Sequence, residues 1–200
     1  VEGIKDLEKL LKEGKLQKVK GWGEKSVENI RRGIAMREKV KGRLPIGQAL
    51  PLAEEILQAL RKAKGVERVE VAGSLRRRRD TVGDLDFLAT ARDADAVMEV
   101  FCSLPHVARV TANGSTKSTV FLKEGLDADL RVVDPEVFGA ALHYFTGSKD
   151  HNVHIRKLGI RRGLTISEYG VYRGTAAHKG KLLAARTEED VYRAVGLPYI

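Results

Sequence analysis

Cysteine is nearly absent from this 200-residue chain, which has only Cys102. A single thiol rules out an internal disulfide and a cysteine-rich metal site, and the apolar neighbours Val100, Phe101 and Leu104 predict that it is buried and structural. Long apolar runs are also missing. No stretch approaches the roughly 20 residues needed to cross a bilayer, and the charged start lacks the apolar core of a signal peptide, so a soluble, intracellular protein is expected. There are only five prolines and 20 glycines, with no internal repeat and no low-complexity tract, which excludes fibrous and wholly disordered classes. What remains is a globular composition, 42% hydrophobic and 32% charged, at a length that suits one domain or two small ones.

Acidic residues are the scarcer charge. The 27 Asp and Glu against 36 Lys and Arg leave a net charge of +9, and the isoelectric point near 9.7 suits a nucleic-acid partner. The excess is not uniform. Residues 1–48 hold 13 basic against seven acidic side chains, and residues 145–180 hold seven against two. Two basic regions therefore flank a more balanced middle, as expected of a protein that grips a polyanion on either side of a central site.

Periodicity supplies the elements. Leu7, Leu10 and Leu11 at helical spacing predict a short helix over 5–13 that Gly14 stops. The run V-K-G-W-G-E-K-S-V-E-N-I (19–30) places a Gly-x-Gly turn, Gly21 and Gly23 around Trp22, ahead of a second helix that carries Val27, Ile30 and Ile34 on one face. The basic segment 39–48 ends in R-L-P-I-G and predicts a hinge, because Pro45 biases Leu44 away from helix. A helix over 51–63, strands over 66–74 and 85–90, a helix over 93–104 and two strands at 118–123 and 124–133 make the middle a small mixed sheet with helices on it. Pro135 suits the first turn of a helix through Val137, Ala140, Ala141 and Tyr144. A basic helix over 153–158 follows, and Thr187 is the expected N-cap of the last helix.

The stretch from Gly73 to Asp86, G-S-L-R-R-R-R-D-T-V-G-D-L-D, joins a glycine-serine turn after one strand to an Asp-x-Asp on the next. Period two in a strand puts Asp84 and Asp86 on the same face. Two carboxylates pointing together repel unless a cation lies between them, and Mg²⁺, a hard ion that prefers oxygen ligands, is the usual solution in phosphoryl transfer. A third carboxylate completes a pair of metal sites. It would come from L-D-A-D-L-R-V-V, where Asp127 and Asp129 again share a face. The Gly73 and Ser74 amides, the Ser74 hydroxyl and a nearby arginine could cradle a triphosphate, since small residues let backbone approach phosphate oxygens. Taken singly, an Asp-x-Asp reads as a solvated strand end and the arginine run as exposed surface; their combination with the Gly-Ser turn is what points to chemistry.

The pattern G-S-x-R-R followed by G-D-x-D resembles the nucleotidyltransferase signature of the family X DNA polymerases, the group that includes DNA polymerase beta. Y-F-T-G-S at 144–148 and H-N-V-H-I-R at 151–156 resemble the part of that family that encloses the incoming nucleotide, and V-K-G-W-G-E-K-S-V-E-N-I resembles a helix-hairpin-helix motif. The resemblance covers essentially the whole chain. It implies an α+β fold with a helical helix-hairpin-helix DNA-binding region over 1–46, a catalytic nucleotidyltransferase palm with a small mixed sheet over 47–135, and a small α/β nucleotide-enclosing subdomain over 136–200.

For function the resemblance implies a template-directed DNA polymerase that fills short gaps during DNA repair, base excision repair included, by two-metal transfer to a primer 3′-hydroxyl. Phe145 follows Asp129 by sixteen residues, the family spacing, so Asp84, Asp86 and Asp129 would be the catalytic carboxylates and ligands of two Mg²⁺ ions, with Mn²⁺ as an alternative. Gly73, Ser74, Arg77, Gly83 and Arg43, thirty residues before Gly73, would hold the triphosphate. Tyr144, Phe145 and Gly147 would wall the sugar, with Ser148, Lys149 and Asn152 beside the nucleotide. Arg131 and Arg156 would contact DNA, as would Gly21, Gly23 and Lys25 at the hairpin, where a monovalent cation is also implied. The implied partners are gapped or primed DNA and deoxynucleoside triphosphates, for a monomer acting without a membrane in a bacterial-type cytoplasm, on nucleoid DNA. Arg78, where the family has glycine, and Lys149, directly after Ser148, depart from the family pattern. The chain has no room for an N-terminal lyase domain and stops where bacterial members continue into a phosphoesterase domain, so an excised polymerase core is expected. A template-independent nucleotidyltransferase and a catalytically silent DNA-binding module are the alternatives.

Overall fold

In a computed structural model the described residues are 3–16, 23–39 and 42–199, and they fall into two units, 1–42 and 43–200. In the first, α1 (Ile4–Lys12) ends where Gly14 turns with a φ of 64°, and the Gly14 and Lys15 amides donate back to the Leu11 and Leu10 carbonyls at 3.2 and 3.0 Å. A left-handed residue is what this stop requires, and glycine takes it without steric cost. The second helix, α2 (Glu24–Lys39), packs against α1 and buries Val27. Ile30 and Ile34 lie half-buried on the same side. Gly21 and Trp22, the centre of the expected hairpin, lie outside the described residues.

The second unit opens with β1 (Leu44–Pro45) and α3 (Ile46–Lys62). This helix starts five residues earlier than the 51–63 helix expected from sequence, with Pro51 inside it. Proline removes one amide and crowds the carbonyl four residues before it. Here that residue is Gly47, and the buried row Ala49, Leu52, Ala53, Ile56, Leu57 and Leu60 holds the helix on the core regardless. The chain continues through β2 (Val66–Val71), the four-residue helix α4 (Gly73–Arg76), β3 (Thr81–Val82) and β4 (Asp84–Ala91). Then come α5 (Ala94–Cys102), β5 (Val107–Asn113), β6 (Lys117–Leu122) and β7 (Asp127–Val132).

Strands β2, β4, β7, β6 and β5 form one sheet in that order, parallel only between β4 and β7. Leu85, Phe87 and Ala89 of β4 face the main core with α3 and α5. The alternate residues Asp84, Asp86 and Leu88 face the other side, where Leu88 packs with Phe138, Ala141 and Leu142. Mixed α+β architecture with a small mixed sheet is therefore what the structure has. Cys102, expected to be buried, is half-buried, because the last turn of α5 directs Phe101 and Met98 into the core instead.

After a 3-10 turn at Pro135–Val137 come α6 (Phe138–Thr146) and α7 (Lys149–Arg161), the latter longer at both ends than the basic helix expected. A three-stranded antiparallel sheet of β8 (Leu164–Ser167), β9 (Gly170–Gly174) and β10 (Lys179–Ala184) follows. The last helix, α8 (Glu188–Ala194), is capped by Thr187, whose Oγ1 accepts from the Asp190 amide at 3.1 Å. Ile155, Ile166, Val171, Val191 and Val195 form its own apolar cluster. Among the described residues no helix is long and apolar enough to cross a membrane.

Candidate active site

The parallel pairing of β4 with β7 sets Asp84 opposite Asp127 and Asp86 opposite Asp129. All four side chains leave the same face, as period two requires. Strand β6 adds Thr119 opposite Asp129 and Lys117 opposite Arg131. The row Asp86, Asp129, Thr119 thus crosses three neighbouring strands. Thr119 Oγ1 donates to Asp129 Oδ1 at 2.6 Å, and Lys117 Nζ lies 2.8 Å from Asp129 Oδ2. Neither partner was legible in sequence; the available signal was a lysine and a threonine two apart on the strand preceding the acidic one.

Asp86 is the constrained member. Burial and the Asp84 and Asp129 carboxylates push its pKa up to about 6, with Arg131 and Lys117 pulling the other way. It lies directly against Gly73, whose φ is 59°; a Cβ built there would fall 2.0 Å from Asp86 Oδ2. Any side chain at position 73 would drive the carboxylate away. Among the described residues no three His, Cys, Asp or Glu side chains are gathered closely enough to hold a metal. The chemistry of the donor set nonetheless suits a hard cation: Asp86 and Asp129 on facing register positions with Asp84 on the same face, the first with its charged form disfavoured by burial and by the other two, and Asp129 already drawing an ammonium.

Beyond Gly73, a second group assembles around the α6–α7 junction. Ser74 Oγ, Arg77 Nε and Asn152 Oδ1 are buried without a hydrogen-bond partner. Buried polar atoms are normally satisfied, so the Gly73 turn, with two such atoms, and the start of α7, with one, are places where a polar ligand would find partners. An Arg77 guanidinium N–H donates to the Thr146 carbonyl, and Gly147 stands beside the same guanidinium. Asn152 Nδ2 donates to the Tyr144 carbonyl at 2.7 Å, and Ser148 caps α7 by accepting from the His151 amide at 3.4 Å. The Tyr144 and Phe145 rings meet edge to face at 5.2 Å, and the Arg131 guanidinium lies 4.4 Å from the Phe145 ring centre. Arg131 therefore connects the acidic strands to this junction.

The remaining candidates are placed less centrally. Arg43 is held on β3, its Nε donating to Thr81 Oγ1 at 2.9 Å and its guanidinium to the Thr81 carbonyl at 2.6 Å, just before Gly83 and Asp84. Lys149 is exposed at the start of α7, and exposed Arg156 sits one turn beyond Asn152, donating to its carbonyl at 3.3 Å. Gly23 and Lys25 are exposed at the start of α2, where the Gly23 carbonyl accepts from the Ser26 amide at 2.9 Å. Arg78 is exposed with a φ of 56°, a conformation that explains why glycine suits this turn. Sequence reasoning also missed Arg76 and Glu188, which brace the junction from behind through two 2.6 Å hydrogen bonds, while Arg76 also donates to Thr146 Oγ1 at 2.7 Å.

A sheet that pairs aspartates on adjacent parallel strands, next to a glycine-serine turn with unsatisfied polar atoms, has the layout of a nucleotidyltransferase. Comparison narrows the class. The family model for the DNA polymerase beta thumb matches residues 141–200. Over 203 aligned residues, 99% of the chain is 38% identical to the DNA polymerase/3'-5' exonuclease PolX of Bacillus subtilis, covering 35% of that protein. Over 152 residues, 64% of the chain is 29% identical to DNA polymerase lambda of Rattus norvegicus, covering 26% of it. The chain belongs to the family X DNA polymerases, and spans about a third of the length of the first of these relatives and about a quarter of the second.

Proposed function

We propose that this chain is the polymerase core of a template-directed DNA polymerase that adds deoxynucleotides to a primer 3′-hydroxyl and fills short gaps during repair. The reading is carried by the register that sets Asp86 opposite Asp129 with Asp84 on the same face. Asp84, Asp86 and Asp129 would hold two magnesium ions. When bound, these would lower the pKa of the primer hydroxyl and neutralise charge on the departing pyrophosphate.

The chain's own groups do the rest. Ser74 Oγ and Arg77 Nε, buried and without a partner, are offered to triphosphate oxygens, and Arg43 and Gly83 stand ahead of Asp84 for the same purpose. Lys149 adds a cation next to Ser148. The Tyr144–Gly147 segment, fixed through Arg77 and Asn152, presents backbone and ring to the sugar. Asn152 and Arg156, one turn apart on α7 and joined by the Arg156 Nε donation to the Asn152 carbonyl, would lie over the minor-groove edge of the nascent base pair. Gly23 and Lys25, with Gly21, would take the DNA backbone and a monovalent cation, in a division of labour with a DNA-binding 1–46, a palm over 47–135 and a nucleotide-binding 136–200. Such a core works as a monomer on nucleoid DNA.

The test is extension of a labelled primer across a one-nucleotide gap with Mg²⁺, offering one nucleotide at a time. Insertion of the template's complement alone, and none on primer without template, is the expected result. Insertion without a template would replace this reading by tailing activity, and DNA binding without insertion by a silent binding module.

A further inference from the structure

Both oxygens of Asp129 are engaged by strand β6, and by groups of different kind. Thr119, directly across the ladder, donates a neutral hydroxyl to Oδ1 at 2.6 Å. Lys117, two residues earlier and so on the same face, brings an ammonium to Oδ2 at 2.8 Å. A neutral donor orients a carboxylate and leaves its charge available. An ammonium cancels the charge that a cation would use.

We propose that Thr119 is a positioning residue that fixes the Asp129 carboxylate toward Asp86, and that Lys117 occupies the cation-facing oxygen of Asp129 until a divalent ion displaces it. The inference rests on the reading of Asp129 as a metal ligand. Displacement is inexpensive, because the side chains of Lys117 and Asp129 keep 39% and 27% of their exposure and such solvated ion pairs contribute about 0–1 kcal/mol. Orientation by a hydrogen bond to a ligand's other atom is worth more, typically about 10–100-fold in metal affinity or activity. Removing the two groups should therefore shift divalent-ion binding in opposite directions, which general damage to the sheet could not do. Valine suits the Thr119 position because it keeps the β-branched shape and loses only the hydroxyl.

The experiment is Mn²⁺ titration of the whole chain without nucleotide or DNA, followed by the electron paramagnetic resonance signal of free Mn²⁺. Thr119→Val should weaken binding about 10–100-fold, Thr119→Ser should restore it, and Lys117→Met should tighten it up to about fivefold, the equivalent of ~1 kcal/mol. Wild-type binding by Thr119→Val, or failure of serine to rescue, overturns the positioning role; unchanged or weaker binding by Lys117→Met overturns the displacement role. Asp129→Ala separates the two levels. If it binds Mn²⁺ as the parent does, the metal-ligand reading itself falls; if it loses binding while Thr119→Val does not, only the present inference falls.

Discussion

Arg76 and Glu188 are joined by two parallel hydrogen bonds of 2.6 Å, across 112 positions of sequence. The pair ties the helix that follows the Gly73 turn to the first turn of α8, and Glu188 raises the Arg76 pKa further. Because Arg76 also holds Thr146, the contact braces the segment Arg77 touches from the other side. Glu188→Ala should lower stability by roughly 1–3 kcal/mol, since it leaves a half-buried guanidinium short of its partner. Arg76→Lys should not substitute, because an ammonium cannot make the forked contact. Thermal melts of both variants check this, and an unchanged melting temperature for Glu188→Ala would mean that the brace carries no load.

Ser74→Ala and Arg77→Ala should weaken triphosphate binding far more than DNA binding. Charge-assisted hydrogen bonds are worth about 1.5–3 kcal/mol each, so a loss of roughly 10–100-fold in nucleotide affinity is expected for Arg77→Ala. Separate titrations of nucleotide and gapped DNA decide it. Equal losses on both would assign the arginine run to DNA.

Two buried groups give stability opposite pH dependences. Asp86 in the metal-free protein is raised to about 6, so its contribution is present at low pH and is lost as pH rises through that value. His143, buried with an unpartnered Nε2, is pulled down to about 4, mainly by burial and then by neighbouring His151. Its contribution is complete above about 6.5 and is lost as pH falls toward 4. The two windows overlap between about pH 4 and 6.5 and oppose each other there, so chemical denaturation from pH 4 to 8 should show stability rising more steeply with pH in Asp86→Asn than in the parent and less steeply in His143→Phe. Parallel profiles for variants and parent would contradict both assignments.

Arg78→Gly should stabilise the chain. A left-handed conformation costs a non-glycine residue about 1–2 kcal/mol, part of which is returned through the more flexible unfolded chain that glycine brings. A rise of a few degrees in melting temperature is expected. A fall would show that exposed Arg78 makes a stabilising contact that its backbone geometry does not reveal.

Much of this arrangement is legible in the chain because it is local. Asp84 with Asp86, and Asp127 with Asp129, follow from period two alone, and the Gly73–Ser74 turn from its position after a strand. What lies across strands is not legible: no spacing rule sets Thr119 opposite Asp129, or carries Arg76 to Glu188. Strands β8 to β10 escape for another reason. They are short, and K-G-K-L-L-A is exposed along almost its whole length, so no alternation marks a buried face. The early start of α3 escapes because Pro51 reads as a boundary, whereas the buried row from Ala49 onward overrides it.

The central claim is that Asp129, and not Asp127 two residues before it, completes the acidic cluster with Asp84 and Asp86. Single-nucleotide insertion into gapped DNA with Mg²⁺, measured for Asp129→Ala and Asp127→Ala beside the parent chain, tests it directly. Asp129→Ala should lose insertion by at least about a thousandfold while retaining triphosphate binding, as expected when a group acts on the transition state, and Asp127→Ala should stay within about tenfold of the parent. An inactive Asp127→Ala beside an active Asp129→Ala would contradict it.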